Sequence, residues 1–160
     1  MKSFIEKERE IQEKLKTLKP LNETYHEAFL NRVYNSKREE IKNPDILIVN
    51  DDLSIICLVD AYLKSKGITS KGITDGRGVL KELEHYHPKV VVLDEILPDI
   101  GGWNLFKQIK SNPKLNNIPI FIFCHEELIE YHLDCKVDGY IPYPFNFSDF
   151  DAIINLVSER

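Results

Sequence analysis

The chain of 160 residues has few cysteines, only three, and among Cys57, Cys124 and Cys135 no pair stands in a CxxC spacing. An odd, sparse set builds neither a disulfide framework nor a zinc centre. The expected compartment is therefore reducing. No apolar run approaches the ~18 residues needed to cross a bilayer, and the N-terminus is rich in Lys and Glu rather than apolar, so it does not read as a secretory signal. A cytoplasmic protein without a membrane anchor is expected. There is no G-x-G-x-x-G, no Walker loop, no zinc spacing and no catalytic triad pattern, so no enzyme activity is expected. Net charge is -5, which disfavours nucleic acid and anionic membranes as direct partners.

The charge is uneven. Residues 1–43 carry ten Lys/Arg against eight Asp/Glu, and residues 44–160 carry eleven against eighteen. The first segment also lacks glycine and has one proline, Pro20. Glu, Lys, Gln and Leu dominate Ser3–Lys19, which favours helix. Phe4, Ile11, Leu15 and Leu18 form a thin apolar stripe at helical spacing. A second helix is expected after Pro20, through Tyr25, Phe29 and Val33. Phe4, Ile11, Leu18 and Tyr25 recur in sevens, but the partner heptad positions fill poorly. Residues 1–43 are thus expected to be a helical extension, a candidate dimerisation or partner-binding arm. No helix-turn-helix is evident in it.

From residue 44 on, the pattern alternates strand and helix. Ile46–Val49 and Val90–Leu93 are unbroken apolar runs, as in strands buried on both faces. Further strands are expected over 68–73, 118–123 and 139–141. Helices are expected over 54–66, 76–85, 103–110 and 126–133, with a last one opening at Ser148 and boxed by Asp151. Five alternating pairs predict an α/β fold, a five-stranded doubly wound parallel sheet of the flavodoxin-like order 2-1-3-4-5, preceded by the helical N-terminal segment. In that order the first and third strands are central neighbours. Asp51 and Asp52 after the first, and Asp94 at the end of the third, then share one sheet edge, where such folds bind ligands. Close carboxylates repel unless a cation joins them, and an aspartate beside Mg²⁺ can attack phosphorus. Asp99 reads as a turn residue. Trp103, Tyr131, Tyr143 and Phe147 are candidates for an apolar docking surface.

These residues carry a resemblance. Over about 44–158 the chain resembles the receiver domain of two-component response regulators, through the acidic pair Asp51-Asp52, the run Asp94-x-x-Leu97-Pro98-x-x-Gly101-Gly102, Tyr140, and Pro144-Phe145. The resemblance implies that Asp94 is the phosphoacceptor and that Asp51, Asp52, Asp94 and the backbone carbonyl of Ile96 hold Mg²⁺. It implies Tyr140 as the aromatic that moves on activation, a histidine kinase or phosphotransfer protein as donor, and a downstream protein as target. Two positions depart from the family. Cys124 stands where Ser or Thr normally bonds a phosphoryl oxygen, and a thiol is a weak donor. Tyr143 stands where a Lys is usual, and a phenol cannot neutralise charge. His125, next to Cys124, reads as an exposed loop residue. The resemblance therefore implies a single-domain signalling protein that accepts a phosphoryl group on Asp94. The alternative is a pseudo-receiver, an interaction module with little or no phosphotransfer.

Overall fold

The structure is a computed structural model that describes residues 41–160 together with Glu6 and Arg9. The helical arm and the heptad pattern expected before residue 41 otherwise lie outside the described residues.

Five strands form one parallel sheet: β1 Ile46–Val49, β2 Ser70–Ile73, β3 Val90–Asp94, β4 Ile120–His125 and β5 Gly139–Tyr143. Their spatial order is β2-β1-β3-β4-β5, as the alternation of apolar runs and helices predicts. Among the described residues the helices are α1 Leu53–Ser65, α2 Val79–Tyr86, α3 Gly102–Ser111, α4 Glu126–Ile129 and α5 Asp151–Ser158. None is long and apolar enough to cross a membrane.

The central strands are apolar at successive positions because both sheet faces are covered. Leu47, Val49, Val91, Leu93, Ile120 and Ile122 point to one face, where they pack with Val79 and Leu83 of α2 and Leu105 and Ile109 of α3. Ile46, Ile48, Val90, Val92, Phe121 and Phe123 point to the other, against Ile56, Val59 and Leu63 of α1 and Ile153 and Val157 of α5. A fully buried side chain of this kind contributes about 1.5–3 kcal/mol, so the two clusters hold every strand in register.

Several boundaries differ from the sequence expectation. β2 begins at Ser70, because Gly67 turns the chain with φ +74° and Ile68 enters the core before the ladder starts. β4 and β5 run past Phe123 and Ile141 to His125 and Tyr143. Pro142 is tolerated because β5 is an edge strand paired only with β4. The expected helix over 126–133 divides into α4 and a 3₁₀ turn, Glu130–His132. Asn146 and Asp149 box the 3₁₀ turn Phe147–Phe150 that leads into α5, and α5 itself starts at Asp151 without the box expected of Ser148 and Asp151.

Candidate functional site at the C-terminal sheet edge

The register fixes the site. Val49 pairs with Leu93, so the next residues, Asn50 and Asp94, stand side by side where β1 and β3 end. On the other side of β4, His125 pairs with Tyr143. Asp94 is 6% exposed. Its Oδ1 accepts the Ile96 N–H at 2.9 Å and its Oδ2 accepts the Tyr143 hydroxyl at 3.1 Å. The same hydroxyl accepts from Asn50 Nδ2 at 2.9 Å. A directed chain thus runs Asn50 to Tyr143 to Asp94. The Tyr143 ring is held by stacking on Phe123, centroids 5.3 Å apart.

Burial dominates the electrostatics. It pushes the Asp94 carboxyl up to about 8, aided by the charges of Asp51 and Glu95 and opposed by the Ile96 N–H and the Tyr143 hydroxyl. Burial likewise raises the Tyr143 hydroxyl well above its ordinary value, with the Asp94 charge adding to it. Burial thus favours the protonated form of Asp94, and a carboxylic acid is a far weaker nucleophile than a carboxylate.

The acidic residues after β1 do not act as a pair. Asp51 is exposed, and its charge is felt at both Asp94 and Tyr143. Asp52 is exposed and caps α1, its Oδ1 accepting the Ser54 N–H at 2.8 Å. Asn50, which the sequence reading passed over, is the buried residue of the three, and its Oδ1 accepts the Asp52 N–H at 2.8 Å. Among the described residues no three His, Cys, Asp or Glu side chains are grouped so as to hold a metal ion. Of the Asp51, Asp52 and Asp94 set expected from sequence, Asp51 acts electrostatically on Asp94, while Asp52 gives one carboxylate oxygen to the cap of α1. The first residue beyond β1, Asn50, is the buried one.

Cys124 ends the core-facing part of β4, and His125 beside it is placed differently from expectation. Cys124 is buried, and its thiol points at Glu95 Oε2, 3.1 Å away. Burial, with the charge of Glu95 next in weight, drives that thiol far above its ordinary value. His125 is no loose exposed side chain: its N–H and ring Nδ1 both lie on Glu95 Oε1, at 2.8 and 3.0 Å. Glu95 is 3% exposed and was not singled out from sequence, although an acid inside the run Val90–Ile96 was the available signal. Tyr140 is half-buried, with its hydroxyl donating to the His132 carbonyl at 2.6 Å.

Asp99 does more than turn the chain. It accepts the Arg77 N–H at 2.9 Å, which ties the loop after β3 to the loop after β2. Arg77 also chelates Asp75, and this contact holds the Asp75 carboxyl well below the usual range. The four aromatics expected as a docking surface are dispersed. Tyr143 is in the site, Phe147 stacks on Tyr62 of α1 at 4.3 Å, and Trp103 stacks on His132 at 3.8 Å. Only Tyr131 and Phe147 of the four count as exposed.

Residues 46–155 match the response regulator receiver domain. The chain belongs to that family. The receiver shares 29% identity over 119 residues with the alkaline phosphatase synthesis transcriptional regulatory protein PhoP of Bacillus subtilis, covering 74% of this chain and 50% of that protein. It shares 26% over 121 residues with the two-component response regulator ORR12 of Oryza sativa, covering 73% and 100%. The chain thus spans about half the length of PhoP and all of ORR12. Among solved structures it superposes with TM-score 0.64 on the receiver domain of a Pseudomonas aeruginosa sensor histidine kinase, described with magnesium coordinated in its active site cleft, at 20% identity over 72% of this chain and 98% of that one. The Vibrio cholerae chemotaxis protein CheY4 gives 0.62 at 21% identity over 72% and 98%. At these identities the likeness is one of fold. Receivers of two-component systems are phosphoacceptor signalling modules that meet histidine kinases or phosphotransfer proteins.

Proposed function

We propose that this receiver acts as an interaction module in which Asp94 is held back from phosphotransfer, so that its output depends on protein contact more than on phosphorylation. The observation that carries this reading is the hydrogen-bond chain from Asn50 through Tyr143 to Asp94. It fills the side of Asp94 where a phosphoryl group would need a cation, and it supplies only a neutral phenol. Asn50 adds a neutral amide at the end of β1.

Asp51, Asp94 and the Ile96 carbonyl would hold a Mg²⁺ ion, since one or two carboxylates with water suffice for this metal. When bound, the ion would supply charge neutralisation at phosphorus. Asp52 commits only one of its two carboxylate oxygens to the Ser54 N–H, so it stays a candidate member of that set. The family membership and the closeness of Asp51 to Asp94 favour a second reading, a slow but working phosphoacceptor at Asp94 served by a histidine kinase or phosphotransfer protein.

Incubation with a small phosphodonor and Mg²⁺, followed by intact mass, separates the two. Under conditions that label an ordinary receiver to completion, the wild type should show little or no adduct. The double variant Tyr143→Lys, Cys124→Thr should gain one phosphoryl group, and Asp94→Asn should abolish it. Full labelling of the wild type would establish the second reading instead. Residues 1–43 are proposed as the arm that dimerises or binds a partner. Light scattering should give a larger particle for 1–160 than for 44–160 beyond the mass of the arm, and equal monomers would remove dimerisation from the proposal.

A further inference from the structure

Glu95 is the least expected residue of the site. It lies between Asp94 and Ile96 at the end of β3, and its carboxylate is buried. A buried carboxylate is costly unless donors converge on it. Here they do, all from one short segment. Cys124 Sγ approaches Oε2 at 3.1 Å, and the His125 N–H and Nδ1 approach Oε1 at 2.8 and 3.0 Å. The Glu95 backbone is fixed as firmly, its N–H donating to the Phe123 carbonyl at 3.1 Å and its carbonyl accepting from Gly102 at 3.0 Å. The carboxylate therefore joins a rigid point on β3 to the last two residues of β4, from which α4 departs at Glu126.

We infer that Glu95 is a built-in acceptor that latches the β4–α4 junction in one position. The donors at the end of β4, Cys124 Sγ and the His125 N–H and Nδ1, are engaged by the Glu95 side chain rather than by Asp94. This inference goes beyond the phosphotransfer question and does not depend on its answer, because it concerns the backbone at His125.

Amide hydrogen exchange read residue by residue by NMR on the full chain tests it. In Glu95→Leu, which keeps bulk and removes both acceptor oxygens, the His125 amide should exchange at least tenfold faster than in wild type, while the amides of Ile48 and Val92 in β1 and β3 keep their rates. Glu95→Gln retains one acceptor oxygen and should give an intermediate rate. His125→Ala retains the backbone donor and should stay close to wild type. Unchanged protection of His125 in Glu95→Leu would overturn the latch. So would an equal acceleration at Ile48 and Val92, which would mean general loss of stability rather than local release.

Discussion

At the scale of single residues, Asp94 shows how far a strand-end pattern can be read. An apolar run ending in an acid placed it at the sheet edge, and the register puts it there. What the pattern could not supply is which way each neighbour turns. Asn50, Asp51 and Asp52 are three polar residues in a row, and only the pleat of β1 and the start of α1 decide that Asn50 points inward and Asp52 caps. The enclosure of Asp94 has a measurable consequence. Its carboxyl binds a proton far more tightly folded, at about 8, than at the ordinary 3.8. That proton contributes its full stability where the unfolded carboxyl also holds it, below about pH 4, and the contribution is lost as pH rises through about 8. Asp94→Asn carries no ionisable group and should escape the loss. Thermal unfolding should show the variant gaining on wild type between about pH 5 and about pH 9, by up to about 4 kcal/mol. A gap that stays constant across that range would contradict the buried, proton-retaining state of Asp94.

Among the elements, the central strands were legible from their unbroken apolar runs and the long helices from their periodicity, and the short elements were not. The segment 126–133 holds Glu, Leu, Ile and Tyr in nearly helical order, yet it breaks after Ile129 into a 3₁₀ turn. The Trp103–His132 stack and the Tyr140–His132 bond, both tertiary, fasten that turn. Gly101-Gly102 illustrates the opposite case, a signal visible in sequence whose cause lies in packing. Gly101 needs its positive φ of 78°. Gly102 needs the absence of a side chain, because a Cβ there would collide with the Asp94 carbonyl oxygen and stand 2.7 Å from the Glu95 Cα. The start of α3 is therefore pressed against the backbone that carries both site acids. Gly102→Ala should destabilise the protein by about 3 kcal/mol or more in urea unfolding, since only backbone movement relieves the clash. Gly101→Ala meets open space and should cost about 1–3 kcal/mol, from its positive-φ, extended-ψ backbone alone. If the two variants were equally mild, α3 would not be the element that sets the height of Asp94 and Glu95.

At the scale of the described molecule, the sheet is shared by two apolar clusters, one on each face. Leu63 belongs to the α1–α5 face and Leu105 to the face of α2 and α3, and both are fully buried. Because alternate residues of the same strands feed the two clusters, neither face can melt while the other keeps its strands aligned. The site sits at the edge where both layers end, so its geometry depends on both. The single tryptophan, Trp103, reports on the α3 side, while far-ultraviolet circular dichroism reports on all helices. Leu63→Ala and Leu105→Ala should each cost about 2–5 kcal/mol. In each variant the tryptophan and circular dichroism transitions should coincide in urea. The decisive case is Leu63→Ala, whose cavity lies across the sheet from Trp103. A tryptophan transition that stayed at the wild-type midpoint while the circular dichroism moved would mean that the faces unfold separately. In that event the enclosure of Asp94 by Tyr143 on one side and the Glu95 junction on the other would be two independent structures rather than one.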